Sequence, residues 1–340
     1  MLLEASADLV FSRLSAADEA VSRLDEQVAA CPWRVGFAAR RDFAEAIAWS
    51  WTQGEVTRLE DLVLHDEGMD LHLPNAGLRA AHGVVAARRK AVIGGPSLLD
   101  LDGLTWLAGQ RAKPPAAVGG SVTRPRPLLR EDPDRPGMIE RLERMLRGLE
   151  DGEAASAREG MAEWLDVASA LDTDIPALLR AAGLLEAWWI IDPLPRQRYL
   201  GAIAVGLWLQ RERRVVSHLL GLEAGLRNIQ RRGRELRGGS VMRRLAYWLL
   251  VMKEAADEGQ AELKRLALAR QVMARQVEGR RAHARAGEVM ELLMASPVVT
   301  APMIAARLGV TQQSARRSLE ELGSVVAEIS GRSRFRAWRV

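Results

Sequence analysis

Cysteine is almost absent from this chain, which has only Cys31 among its 340 residues. One cysteine can form neither an internal disulfide nor a cysteine-based metal cluster, so both are excluded. No run of about 18 uncharged apolar residues occurs, which indicates that there is no membrane-spanning helix. The N-terminal segment MLLEASADLVFSRL carries acidic residues early and lacks a basic region, so we expect no secretory signal. These absences fit a protein of the reducing cytoplasm.

The usual signatures of catalysis and metal binding are also absent. The chain has no glycine-rich phosphate loop ending in Gly-Lys-Ser or Gly-Lys-Thr, no Gly-x-Ser-x-Gly elbow and no His-Glu-x-x-His motif. We therefore predict neither a metal nor a cofactor. The five histidines lack the close spacing of metal ligands, and they are His65, His72, His82, His218 and His283.

Lysine is rare, and arginine supplies nearly all of the positive charge. The formal net charge is only +4, although the pI is about 9.7. A GC-rich coding sequence explains such an excess of arginine, whereas binding of nucleic-acid phosphates needs local clusters of it. Hydrophobic residues make up 48% and charged residues 27% of the chain, which predicts ordinary globular domains with a sizeable core.

Most of the sequence predicts helix, and we expect a mainly α fold. Apolar residues recur three and four positions apart, and alternating strand patterns are scarce. The two most apolar segments, 175–191 and 200–210, are expected at the centre of the fold. The segment TRLEDLVLHDEG begins with Thr57 and has Glu60 three residues later, which predicts a capping box at the start of a short helix. Five tryptophans within apolar helices are expected in the core, and they are Trp49, Trp51, Trp188, Trp189 and Trp208.

Composition divides the chain into four predicted parts. Residues 1–108 form an N-terminal helical region, and residues 109–137 form a linker or flap that is rich in proline and glycine. Residues 138–275 form a second helical region, and residues 276–340 form a small C-terminal domain.

The C-terminal domain has the pattern of a winged helix-turn-helix. Thr300 is placed to cap a short helix, and Gly309 and Val310 make a tight turn. Thr311 then caps a second helix, predicted over residues 312–322. The segments VVAEIS and RFRAWRV predict two strands around a turn at Gly331, and these strands would form the wing.

The second helix of this domain is predicted to read DNA. Ala315, Leu319 and Leu322 share one face and should pack inward. Glutamine pairs with adenine and arginine with guanine or phosphate, so the opposite face suits a major groove and the wing suits phosphate. From Arg280 to Val340, ten arginines stand against five glutamates, an excess of five positive charges in this domain alone. The predicted DNA contacts are Thr311, Gln312, Gln313, Ser314, Arg316, Arg317, Arg332, Arg334 and Arg336.

The rest of the chain resembles Fic-domain proteins in the order of its segments. The stretch FAEAIAWSWTQGEVTRLEDLVLHDEG, residues 43–68, is similar to their N-terminal region. The stretch IPALLRAAGLLEAWWIIDPL, residues 175–194, is similar to the central helix that leads into their catalytic loop. Many of them also carry a winged helix, so the resemblance implies a Fic-like helical body followed by a winged helix-turn-helix domain. The arrangement is closer still to a group of uncharacterised rhizobial plasmid-type proteins that end in a helix-turn-helix.

The loop that carries catalysis in Fic proteins is degenerate here. In that family it reads His-Pro-Phe-x-Asp/Glu-Gly-Asn-Gly-Arg, and it supplies a histidine base, a carboxylate for Mg²⁺, a glycine nest and an arginine that binds phosphate. The matching segment DPLPRQRYL contains Asp192, Pro193, Arg196 and Arg198, of which only Pro193 agrees with the family. Gln53 stands where many Fic proteins have an inhibitory glutamate. The resemblance thus implies a body that has lost catalysis, a pseudoenzyme.

Together these patterns predict a DNA-binding protein that regulates transcription, is associated with the nucleoid and is not an enzyme. We expect double-stranded DNA as its partner, no membrane contact and a homodimer, because one helix-turn-helix reads only a short half-site. The helical body would serve for dimerisation or would sense a protein partner or a small effector. Two alternatives stay open. One is a Fic-type nucleotidyl- or phosphotransferase with a non-standard loop, and the other is a plasmid-maintenance or toxin–antitoxin scaffold whose winged helix binds protein.

Overall fold

The computed structural model of the protein describes residues 2–70, 73–110, 135–150, 152, 156–233, 237–277, 283–329 and 336–340. This part of the chain is mainly helical, with a small sheet near the C-terminus, which confirms the predicted fold class. Its helices are α1 (Leu2–Ala29), α2 (Arg34–Thr52), α3 (Leu59–Asp66), α4 (Ala76–Gly94), α5 (Leu101–Leu107), α6 (Arg135–Glu150), α7 (Ala157–Ala170), α8 (Ala177–Ile191), α9 (Tyr199–Arg211), α10 (Leu222–Arg232), α11 (Val241–Val277), α12 (His283–Ala295), α13 (Ala301–Leu308) and α14 (Gln312–Glu321). Its strands are β1 (Val299–Thr300), β2 (Ala327–Glu328) and β3 (Ala337–Arg339).

The described residues divide into two compact units, each built from two separate stretches of sequence. Unit one contains residues 1–26 and 86–257, and unit two contains residues 27–85 and 258–340. The division into four sequential parts stays a prediction. Most of the predicted linker 109–137 lies outside the described residues, and its last three residues belong to α6. In the part of the chain that the structure describes, no helix combines the length and the apolar character that a membrane span requires.

The predicted capping box at Thr57 is wrong. Helix α3 begins at Leu59 with Arg58 as its N-cap, and no side chain caps it. The Thr57 hydroxyl instead lies 2.7 Å from the Ser50 hydroxyl of α2, so a tertiary hydrogen bond has replaced the local one. The helix ends at Asp66, and Gly68 just beyond it has a φ of 66°, which glycine adopts without steric cost.

The core of unit one forms around α8 and α9, the two apolar helices that were expected at the centre. They pack against each other, and α8 also packs against α6 and α7. Gly201 of α9 permits this close approach, because a Cβ atom at that position would lie 2.4 Å from the ring of Trp188. The apolar pattern of the two segments therefore located the core of this unit correctly.

The predicted burial of the five tryptophans is only partly confirmed. Trp49, Trp188 and Trp208 are buried. Trp51 is 40% exposed, because two residues along a helix turn its side chain away from the face that buries Trp49. Trp189 is half-buried. The guanidinium groups of Arg198 and Arg237 lie over its ring, 4.8 and 5.0 Å from the ring centroid.

A buried carboxylate, that of Glu186 in α8, joins this helix to α11. Its oxygens accept hydrogen bonds from Arg237 Nε and Nη2 at 2.9 and 2.7 Å, and from Trp248 Nε1 at 2.7 Å. The Nε atom of Arg244 lies 2.7 Å from Glu186 Oε1 as well. The Glu186 side chain is completely buried, so these partners offset the cost of removing its charge from water.

Replacing Glu186 by alanine should lower the free energy of unfolding by about 3–5 kcal/mol, because two partly buried guanidinium groups lose their counter-charge. Urea denaturation measures this loss. Glu19→Ala is a suitable control, since Glu19 pairs with Arg23 and the two side chains are 68% and 53% exposed. Such exposed pairs contribute about 1 kcal/mol or less. Equal losses in the two variants would contradict the role of burial.

Unit two joins α2, α3 and the first turns of α4 to the C-terminal elements. Helix α2 packs directly against α12. Gly36 permits this contact, because a Cβ atom there would lie 3.0 Å from the carbonyl oxygen of Met294. The C-terminal domain therefore shares a core with the segment 27–85, far away in the sequence.

Candidate nucleic-acid interface

The elements α12, β1, α13, α14, β2 and β3 follow one another in the order of a winged helix. Strand β3 lies between β1 and β2 in an antiparallel sheet, and Trp338 of β3 faces Val299 on one side and Glu328 on the other. The sequence did not predict β1, because a strand of two residues is too short to show an alternating pattern. The sheet closes one side of the small domain, and Trp338 is buried in it.

The predicted helix caps of this domain are confirmed. The Thr300 hydroxyl accepts a hydrogen bond from the Met303 amide at 3.3 Å at the start of α13. The Thr311 hydroxyl accepts one from the Ser314 amide at 3.1 Å at the start of α14. Gly309 ends α13 with a φ of 64°, which gives the tight turn between the two helices.

Helix α14 has one buried and one exposed face, as its sequence predicts. Ala315, Leu319 and Leu322 are buried. The opposite face exposes four of the predicted DNA contacts, and the structure brings them together on that one surface. These residues are Gln312, Gln313, Arg316 and Arg317.

Two other predicted DNA contacts lie at the start of α14. Thr311 is exposed while its hydroxyl caps the helix, and Ser314 is half-buried. The N-terminus of a helix carries partial positive charge and free amide groups, so this end of α14 attracts phosphate. Whether Thr311 and Ser314 touch DNA stays a prediction.

The predicted wing is confirmed in its two strands. The Ile329 amide donates to the Ala337 carbonyl at 2.9 Å across the hairpin. Arg336 precedes β3, and its Nε lies 3.5 Å from Glu328 Oε1. Arg339 is exposed on β3 and was not among the predicted contacts. The predicted contacts Arg332 and Arg334, and the turn at Gly331, lie outside the described residues.

A buried arginine of α2 fixes the end of α12. The Nη1 atom of Arg40 donates to the carbonyl oxygens of Leu293 and Ser296 at 2.8 and 2.7 Å. Its Nε donates to Glu262 Oε1 of α11 at 3.3 Å. Burial lowers the pKa of Arg40 to about 10, and the neighbouring Glu262 opposes that effect. No local sequence signal marks this residue, because its carbonyl partners lie more than 250 positions away.

The next residue, Arg41, adds a second buried link between α2 and α11. Its Nη1 donates to Glu258 of α11, and its Nη2 lies 3.4 Å from Glu45 Oε1 in its own helix. Burial disfavours the charge of Arg41, but Glu258 and Glu45 outweigh burial and raise the pKa of the guanidinium. The arrangement of α2, α11 and α12 therefore depends on charges that face each other inside unit two.

Arg40→Met keeps the length of the side chain but removes both donors to the α12 carbonyls. We expect the free energy of unfolding to fall by about 1.5–3 kcal/mol, the contribution of hydrogen bonds to a charged group. Hydrogen exchange at the amides of α12 should become faster, and mass spectrometry measures this. Arg34→Met on the same helix is the control, since Arg34 is exposed. Unchanged exchange in α12 of Arg40→Met would exclude the proposed anchoring role.

The turn that follows α8 contains the residues matched to the Fic loop. Asp192 ends the helix in the left-handed region, with a φ of 46°. Its carboxylate accepts hydrogen bonds from Arg198 Nε and Nη2 at 2.9 and 2.5 Å. The hydrogen bond to Asp192 raises the pKa of Arg198. Arg196 is exposed on the turn, and Pro193 is buried against Gly160 of α7.

The cavity beside Arg198 of this turn is small. The neighbouring cavity, lined by Trp188, Trp189 and Arg198 among others, has a volume of about 10 Å³. That is the space of about one water molecule. The Asp192 carboxylate is engaged by a guanidinium, so both of its oxygens already accept hydrogen bonds. Gln53, matched to the inhibitory glutamate, is exposed at the C-cap of α2 in unit two.

Two histidines of unit two lie close together, and each contacts a carboxylate. The rings of His65 and His82 are 4.9 Å apart, edge to face. His65 Nδ1 lies 2.9 Å from Asp70, and His82 Nε2 lies 3.1 Å from Asp66. Among the described residues, no three His, Cys, Asp or Glu side chains are grouped so that they could hold a metal ion.

Comparison with known proteins defines the class of this site. Residues 286–340 match the family described as "HTH DNA binding domain", so the chain carries a helix-turn-helix DNA-binding domain at its C-terminus. Residues 150–278 match the family described as "Protein of unknown function (DUF1612)". Neither description names an enzyme or a Fic protein, and the Fic resemblance of the body stays a hypothesis.

The chain is also similar over nearly its whole length to "Uncharacterized protein y4cF" of Sinorhizobium fredii (strain NBRC 101917 / NGR234). The two are 33% identical over an alignment 367 residues long, which covers 94% of this chain and 93% of the relative. The chain therefore belongs to the family of this rhizobial protein.

Proposed function

We propose that the protein regulates transcription by binding double-stranded DNA through the winged helix-turn-helix of unit two. One observation carries the proposal. Helix α14 buries its apolar side chains and presents Gln312, Gln313, Arg316 and Arg317 on one exposed face, within a chain that carries a helix-turn-helix DNA-binding domain. Glutamine amides and arginine guanidinium groups match the hydrogen-bonding edges of adenine and guanine in the major groove.

Phosphate contacts would hold α14 in the groove. The N-terminus of this helix and the arginines of the wing, Arg332, Arg334 and Arg336, are the groups that we assign to the DNA backbone. The excess of five positive charges from Arg280 to Val340 supports this assignment, since affinity for DNA depends on neutralised phosphates. We therefore expect binding to weaken as the salt concentration rises.

The helical body would pair two chains and would bind a partner protein or a small effector rather than catalyse a reaction. Two half-sites read by a dimer give the sequence information that one α14 lacks. The ion pair between Asp192 and Arg198, together with the small cavity beside it, supports a body without phosphotransfer. Transfer of label from ATP and Mg²⁺ to protein, lost in Asp192→Ala, would instead favour a Fic-type transferase.

Electrophoretic mobility shifts test DNA binding, with the full chain and a duplex from the region upstream of its own gene. The double variant Arg316→Ala with Arg317→Ala should bind about 30- to 20,000-fold more weakly, since each arginine contributes about 1–3 kcal/mol in such contacts and the two losses add. Footprinting should reveal two protected half-sites about one helical turn apart.

A second double variant controls for the loss of two positive charges. Arg144→Ala with Arg147→Ala removes two exposed arginines three residues apart on α6, and its affinity should change little. If both double variants lose the same affinity, general charge and not α14 causes the binding. If the chain shifts no DNA even at low salt, the winged helix binds protein, as in a plasmid-maintenance or toxin–antitoxin scaffold.

A further inference from the structure

The exposed face of α14 contains one arginine that is held in place and one that is not. The Nε atom of Arg317 donates to Glu321 Oε1, one helical turn further on, at 3.2 Å. The Arg317 side chain is 82% exposed, whereas that of Glu321 is only 19% exposed. Among the described residues, the neighbouring Arg316 makes no side-chain hydrogen bond or ion pair and is exposed. The two adjacent arginines carry the same charge and lie on the same exposed face, but only the side chain of Arg317 is restrained by a contact.

The contact leaves a defined part of the Arg317 guanidinium available. An arginine has five N–H donors in a planar fork. Because Glu321 takes the Nε donor, the two terminal nitrogens remain available as a pair, and the Arg317 side chain is 82% exposed. Two parallel donors in one plane match the O6 and N7 acceptors of guanine, which is how arginine reads that base in the major groove. A phosphate group also accepts two donors from arginine, but it can do so from several directions, so an unrestrained arginine such as Arg316 suits it.

The ion pair itself is poorly placed to stabilise the helix. Glu321 occupies the last turn of α14, where the negative end of the helix dipole disfavours a carboxylate. An arginine that precedes a glutamate by four residues is also the weaker order for such a pair. A carboxylate next to DNA is furthermore repelled by phosphate. These costs indicate that the contact directs Arg317 rather than strengthens the fold.

We propose that Glu321 is a positioning residue that orients Arg317 to read a guanine, while Arg316 contacts the DNA backbone. This inference rests on the proposed DNA binding by α14 and adds a base preference to it. It assigns the operator one guanine in each half-site, opposite Arg317. It also assigns Glu321 an effect on sequence preference that is separate from its effect on affinity.

The test selects bound sequences from a pool of duplexes with a random segment of about two helical turns. The full chain and four variants are compared: Arg316→Ala, Arg317→Ala, Glu321→Gln and Glu320→Gln. Glu320→Gln is the matched control, because Glu320 lies next to Glu321 on the same turn and is exposed. Among the described residues, its side chain makes no ion pair. Both glutamine variants remove one negative charge near DNA, so both should raise affinity for the pool.

Of the two glutamine variants, only Glu321→Gln should also reduce the sequence preference. For the unchanged chain we expect a guanine preferred roughly 5- to 150-fold at one position of the half-site, the range for a bidentate arginine. Arg317→Ala should abolish this preference, and Glu321→Gln should reduce it by about threefold or more. Arg316→Ala should weaken binding to all sequences, with a smaller salt dependence and the same guanine preference. Thermal unfolding of each variant checks that the fold is intact.

Each of the following results would contradict one part of the inference, or the proposed function itself. If the guanine preference is the same in Glu321→Gln and Glu320→Gln, Glu321 does not position Arg317. If Arg317→Ala keeps the preference, Arg317 does not read the base. If the pool binds without any preferred base, the inference fails while DNA binding stands. If the pool does not bind at low salt, the proposed function itself fails.

Discussion

The DNA-binding elements of unit two depend on one buried guanidinium, that of Arg40. Its two hydrogen bonds go to the carbonyl oxygens of Leu293 and Ser296, at the end of α12, where a helix leaves carbonyl groups without partners. Arg40 of α2 therefore supplies hydrogen-bond donors to the carbonyl groups at the end of α12, the helix that begins the winged domain. Because α13 and α14 pack on α12, the exposed face of α14 is held by a chain of contacts that starts in the segment 27–85.

Arginine dominates the charge of this protein, but its environment decides what each arginine does. Inside the two units, guanidinium groups face carboxylates, as Arg237 faces Glu186 and Arg41 faces Glu258. On α14 the arginines face solvent. A formal net charge of +4 describes neither situation. Any attraction for phosphate therefore depends on which arginines a surface exposes and not on the net charge of the chain.

The turn at Asp192 illustrates how structure limits chemistry. A left-handed residue ends α8, and its carboxylate and the guanidinium of Arg198 satisfy each other. Such a pair holds the turn against α9, while it leaves neither group available as a base or as a phosphate ligand without breaking the contact. The carboxylate thus has a structural role in the turn between α8 and α9 of unit one.

The sequence by itself determined the features of the winged domain that depend on neighbours within one helical turn. The caps at Thr300 and Thr311, the turn at Gly309 and the two faces of α14 are all of this kind, because their hydrogen bonds and periodicity lie within a few residues. The local prediction of a capping box at Thr57 was wrong, because the Thr57 hydroxyl forms a hydrogen bond with Ser50 of α2 instead.

The tertiary structure alone decided the contacts that no local pattern encodes. Residues more than 250 positions apart meet at Arg40, and the two-residue strand β1 exists only because β3 pairs with it. The same reason explains why the sequence predicted the buried and exposed faces of α14 but not the distant segment against which its domain packs.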